Sequence, residues 1–144
     1  MTNLHEGVSV FAKVGGFLKK LFKNEDDLVY FLLQSLIECI PERHLDAVAV
    51  QVDGCIDVEW VGADEVVFGY DDDDYCRERL IDEWKERRMI AKIEAVGPDG
   101  RSIKLEVWVA EGRLWSIKGD GAFRGLKETD LFDLRVVCVG EGSK

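Results

Sequence analysis

Proline and histidine are scarce in this chain, at two residues each among 144, and no repetitive or low-complexity stretch interrupts it. Without proline- or glycine-rich punctuation there is no sign of a linker between domains. No apolar run approaches the roughly 20 residues needed to span a bilayer. The four cysteines, Cys39, Cys55, Cys76 and Cys138, contain no C-x-x-C pair and lie among Leu, Ile and Val. No basic segment leading into an apolar core opens the chain. These absences set the expectation of a cytoplasmic protein with four reduced, mostly buried thiols.

Catalytic signatures are missing too. There is no G-x-S-x-G elbow and no catalytic-cysteine motif, and Gly15-Gly16 lacks the rest of either nucleotide-binding loop. His5 lies near the start and His44 sits in a charged turn beside Glu42 and Arg43. Pro98-Asp99 followed by Glu111-Gly112-Arg113 loosely echoes a restriction-type nuclease pattern. Both pieces fall in glycine-containing turns, however, and that chemistry needs carboxylates fixed on strands around a shared metal. Asp71, Asp72, Asp73 and Asp74 are contiguous, so they point in different directions, and no glycine or distal glutamate completes a calcium loop. They read as a helix start and a solvated acidic corner. No cofactor, metal or catalytic residue is expected.

What the chain does have is length for one core, with 47% apolar residues. A single domain spanning 1–144 is expected. It would have N-terminal helices over 4–40, a sheet with one intervening helix over 45–139, and a short tail at 140–144. Residues 4–22 carry two adjacent apolar stripes at helical spacing, with Lys13, Lys19, Lys20 and Lys23 on the remaining edge. So broad an apolar face favours packing over lying on an anionic membrane. A second helix begins at Asn24, with Asp27 in its capping region, and Pro41 ends it.

Residues 45–52 and 56–61 alternate as a hairpin around Asp53-Gly54. A three-residue loop pairs Val52 with Ile56, Val50 with Val58 and Val48 with Trp60, leaving Asp57 and Glu59 on the opposite face. A strand at 65–70, a helix at 73–88 burying Cys76, Leu80, Ile81 and Trp84, and strands at 89–96, 102–110, 114–118 and 132–139 follow. Residues 119–130 form a loop. The expected class is α+β, an antiparallel sheet of about five to seven strands with helices on one face, in the order α-α-β-β-β-α-β-β-β-β. On the strand at 102–110, Trp108 falls on the side of Lys104 and Glu106. It pairs with Trp115 across a two-residue turn, or stands alone if the turn has three. There it is covered by the N-terminal helices or serves as an anchor.

Charge is the strongest signal. Eleven of the 29 acidic residues lie between Glu42 and Asp74, against one base, Arg43. The rest of the chain holds 18 acids and 18 bases (29 less 11, 19 less one), so the whole net charge of −10 belongs to this window. Localised acidity makes a one-sided field that orients a basic partner. In size, charge and class the chain resembles the immunity proteins that neutralise bacterial nuclease and other toxins. That likeness implies a non-catalytic domain binding a basic protein. The expected contact residues are Asp57, Glu59, Asp64, Glu65, Asp71, Asp72, Asp73, Asp74 and Trp108. Neither nucleic acid, which the acidic surface repels, nor a membrane is expected as partner. The element order also broadly resembles the small acidic chaperones of secretion effectors, which implies a dimer working through its helices. A small enzyme or ligand-binding domain with a pocket between sheet and helices is the reading from another class.

Overall fold

Leu45, Val48, Ala49 and Val52 repeat at the spacing of a helical stripe, and burial follows that period. Val48, Ala49 and Val52 are buried, while Asp46 and Asp53 are exposed. The computed structural model, which describes residues 26–70, 74–77 and 80–140, accordingly places a helix at Leu45–Val50, closed by a π turn at Gln51–Cys55. The same residues also alternate with period two, which prompted the expected strand at 45–52. That strand, and its pairing of Val52, Val50 and Val48 with Ile56, Val58 and Trp60, is overturned. Helical spacing buries more of the apolar side chains than alternation does.

The preceding helix, Asp26–Gln34, sends Leu28, Val29, Leu32 and Leu33 into the core. It stops short of Pro41. The Ser35 hydroxyl donates to the Leu32 carbonyl at 2.6 Å, a local bond that competes with helix continuation, and a 3₁₀ turn at Ile37–Cys39 follows. The helix expected at 4–22, the start at Asn24 and the last four residues lie outside the described residues.

Six strands make one sheet: β1 (Ile56–Trp60), β2 (Glu65–Tyr70), β3 (Arg88–Val96), β4 (Ser102–Ala110), β5 (Arg113–Gly119) and β6 (Phe132–Cys138). Their lateral order is β1-β2-β5-β4-β3-β6, antiparallel throughout. The α+β class stands. One face carries Val66, Phe68, Ile93, Ile103, Leu105, Val107, Val109 and Ile117, which share a single core with the helical segments.

The helix expected at 73–88 is replaced by a short turn of helix at Asp74–Arg77 and a 3₁₀ turn at Asp82–Trp84. Backbone groups of this stretch bond the β4–β5 turn instead. Ile81 N–H donates to Gly112 O at 2.7 Å, Glu111 N–H to Lys85 O at 2.9 Å, and Gly112 N–H to Trp84 O at 2.9 Å. Ile81 and Trp84 still reach the core, whereas Leu80 is 42% exposed. Arg87 and Arg88 therefore do not end a helix, and Arg88 opens β3.

The β4–β5 turn has two residues, Glu111 and Gly112, both at positive φ, with Ala110 opposite Arg113. A bulge then slips the ladder, so that Trp108 faces Ser116 while Val109 faces Leu114. The turn thus has the two residues that would pair Trp108 with Trp115, but that pairing is not realised, because the bulge absorbs Trp115.

The expectation of reduced thiols is also overturned. Cys39 and Cys138 are joined by a disulfide across 99 positions of sequence, tying the 3₁₀ turn to the end of β6. Cys76 is disulfide-bonded as well, and among the described residues no cysteine is free. No described helix is long and apolar enough to cross a membrane.

Candidate partner-binding surface

The edge strand β1 alternates Ile-Asp-Val-Glu-Trp, so Ile56, Val58 and Trp60 turn toward the core while Asp57 and Glu59 are exposed on the outer face. Across the ladder these two carboxylates meet Gly69 and Val67. Neither neighbour carries charge, so within this strand pair nothing neutralises them.

The turn after β1 is held firmly. Ala63 O accepts from Phe123 N–H at 2.8 Å and Arg124 N–H at 3.1 Å, and Asp64 O accepts from Gly119 N–H at 2.7 Å. The Trp60 and Phe123 rings pack with centroids 5.1 Å apart. Asp64 is thus an exposed carboxylate on an anchored backbone. A base does approach this corner, since the Arg124 guanidinium sits 5.4 Å above the Trp60 ring.

Glu65 belongs to a different arrangement. It faces Lys118, Lys118 faces Glu106, and Glu106 faces Lys92, so four strands carry one row of alternating sign. Lys104, Glu94 and Arg135 form a second such row, in which Arg135 bonds Glu94 and holds its carboxyl below the ordinary range. The middle of the outer face is therefore charge-balanced, whereas Asp57 and Glu59 at its β1 edge face no base across their ladder.

Trp108 shares a cross-strand row with Glu59, through Val67 and Ser116. The two lie three strands apart, or roughly 14 Å at the usual strand spacing. Trp108 is half-buried, and its indole N–H donates to Glu106 at 3.2 Å. The Arg87 guanidinium stacks 4.8 Å above its ring. This arginine covers one face of the ring. Trp108 also lines an open cavity of ≈ 870 Å³ with Asp82, Lys85, Arg87, Met89 and Val139.

The remaining acids of the window do not join the β1 edge. Glu42 and Asp46 are exposed on the helical layer, across the sheet from Asp57 and Glu59. Asp53 is exposed in the π turn. Asp71, Asp72 and Asp73 lie outside the described residues, as does the side chain of Asp74. The window thus divides between two sides of the molecule, and Asp57, Glu59 and Asp64 are the members placed near one another by β1 and its turn.

Two polar clusters escaped the sequence reading because their members are far apart in the chain. Gln51 is buried. Its amide donates to Gly112 O at 3.3 Å, its carbonyl oxygen accepts from Leu114 N–H at 3.3 Å, and the Tyr70 hydroxyl donates to Leu114 O at 2.8 Å. Burial pushes the Tyr70 pKa up, against the lowering effect of Arg113, whose guanidinium lies 4.5 Å above the ring. Elsewhere Glu83 accepts from Arg43 at 2.8 Å and lies 3.0 Å from His44 Nε2. Those bonds, Arg43 foremost, hold its carboxyl down at about 2. The window's single base is thereby committed to an acid outside the window. Among the described residues no three His, Cys, Asp or Glu side chains are grouped to hold a metal ion.

No family model, no curated protein and no solved structure matches this chain.

Proposed function

We propose that this chain is a non-catalytic protein-binding domain that engages a basic protein partner through the acidic β1 edge, in the manner of a toxin-neutralising immunity protein. The observation that carries the reading is the pair Asp57 and Glu59, exposed side by side opposite Gly69 and Val67, at the border of an otherwise charge-balanced sheet face. Such a border focuses negative potential where an approaching cationic surface can meet it without displacing an existing ion pair. Asp64 extends the edge, and Glu65 contributes less because Lys118 opposes it. Asp71, Asp72, Asp73 and Asp74 belong to the proposed surface through their sequence position. Trp108 serves as an outlying apolar anchor, reached only by a partner that spans the sheet and displaces Arg87.

The cytoplasmic setting expected from the sequence would keep thiols reduced, and the Cys39–Cys138 bond favours an oxidising compartment for this binding instead. The effector-chaperone reading rests on an element order that loses its first meander strand to the helix at Leu45–Val50 and its helix at 73–88 to short turns. The helix expected at 4–22 lies outside the described residues. For the ligand-cavity reading, the open groove at Trp108 is lined by Asp82, Glu83 and Glu86 together with Lys85, Arg87 and Arg88 and selects no one ligand charge.

The test is affinity capture at low and at high salt, with the wild type and with Asp57→Lys/Glu59→Lys. The wild type is expected to retain a basic protein whose association rate falls steeply as the Debye length shrinks from ~30 Å to ~8 Å. The double variant is expected to fold normally and lose capture. Retention of the same protein by a folded double variant would refute the assignment.

A further inference from the structure

The bonded cysteines whose surroundings are described differ sharply in access. Cys76 is 4% exposed, whereas Cys138 is exposed at the last position of β6, and its partner Cys39 is half-buried in the 3₁₀ turn. Both members of the second bond open onto a cavity of ≈ 320 Å³ that is also lined by Arg43, His44 and Arg88, with Glu38 and Glu83. The strand that this bond terminates is lightly held. Along β6 only Leu134 and Val136 are half-buried, and the other five side chains, Phe132 and Val137 among them, are exposed. Among the described residues β6 pairs only with β3, and its ladder already slips near Glu94. Beyond that ladder, Arg135–Glu94 and Val139 N–H to Ile90 O at 2.8 Å add to its attachment.

We infer that Cys39–Cys138 is a reducible clasp on the edge strand β6 of a chain that works in an oxidising compartment, and that a dithiol opens it while the bond at Cys76 stays closed. The geometry sets the order of events. A dithiol thiolate reaches the exposed Cys138 sulfur and forms a mixed disulfide, expelling Cys39 as a thiolate into the cavity where the Arg43 and Arg88 side chains lie. That thiolate takes a proton from solvent. The reagent's second thiolate then attacks its own sulfur in the mixed disulfide, releasing Cys138 and closing the oxidised ring. Two electrons pass from the dithiol to the protein. At Cys76 an attacking thiolate meets a buried sulfur, without the open approach that Cys138 gives. Opening the clasp removes the covalent link between β6 and the helical layer and leaves the strand to its ladder and two half-buried side chains. This device sits at the sheet edge opposite β1 and stands independently of the proposed binding surface.

The experiment treats the native full chain with graded dithiothreitol, quenches with iodoacetamide and maps the labelled cysteines, with amide hydrogen exchange read in parallel. Cys39 and Cys138 are expected to label at dithiothreitol concentrations at least ~10-fold below those that label Cys76. Exchange over Phe132–Cys138 should accelerate at least ~10-fold in the same range, while Ser102–Ala110 stays protected. A Cys39→Ser/Cys138→Ser variant should reproduce that exchange pattern without reductant. Simultaneous or earlier labelling of Cys76 would overturn the inference. So would β6 exchange that is unchanged after Cys39 and Cys138 have labelled, or recovery of both as free thiols from acid-quenched source cells.

Discussion

Gly112 shows how one residue decides a local structure that the sequence only hints at. Its φ of +85° is left-handed, and a Cβ there would stand 2.9 Å from Leu80 Cβ and 3.2 Å from Ile81 N. Gly112→Ala should therefore cost about 1–3 kcal/mol, from the strained backbone and the crowding together. A lower urea midpoint with an unchanged slope would register that cost. Glu83 offers a test by pH. Its carboxyl is depressed from 4.5 to about 2 by Arg43 and then His44. A depressed carboxylate adds stability that is fully present above 4.5 and is lost as pH falls through about 2. Glu83→Gln should therefore lower Tm slightly near pH 6, the effect being small because the pair is exposed. The gap to the wild type should close as both are melted at progressively lower pH between those two values. A gap that widens on acidification would mean that the Arg43 and His44 contacts do not set this group's charge.

Elements were legible where burial and period agreed and misread where two periods fitted one string. The strands β2 to β6 follow from alternation and turn residues, and each lies within a residue or so of its expected bounds. Residues 45–52 satisfy alternation through Val48, Val50 and Val52 and helicity through Leu45, Val48, Ala49 and Val52. Helical spacing wins because it buries Val48, Ala49 and Val52 together, and among the described residues the side of β1 away from β2 is left without a strand. The stretch after Asp74 was misread because its backbone bonds go to the β4–β5 turn, a partner about 30 residues away that no local pattern reveals. Gln51 ties the same region together by joining the π turn to Gly112 and Leu114. Gln51→Ala removes the acceptor of the buried Leu114 N–H, while Gly112 O keeps its bond from Ile81 N–H, and the expected loss is about 1–3 kcal/mol. Thermal melting measures it, together with faster exchange of the Leu114 amide. An unchanged melting curve would show that water replaces the side chain without cost.

At the scale of the whole molecule, the acidic window was visible in the sequence but its partition was not. Alternation in β1 foretold that Asp57 and Glu59 share a face, because a period of two is fixed by the strand itself. That Glu42 and Asp46 fall on the opposite side follows from the helix at Leu45–Val50 covering the inner face. That Glu65 is balanced follows from β5 lying beside β2, and neither fact is local. The disulfides were illegible for the same reason, since Cys39 and Cys138 meet across the breadth of the fold. The proposed function therefore depends on position and not on total charge, which two matched variants separate. Asp57→Lys/Glu59→Lys and Glu42→Lys/Asp46→Lys each change the net charge by the same four units, on opposite sides of the sheet. The deciding measurement is the association rate of the captured basic partner with each variant at one low ionic strength. A large drop for the β1 pair and a small one for the helix pair is predicted. Equal drops would contradict the account, because long-range attraction alone would then explain capture and the β1 edge would hold no site.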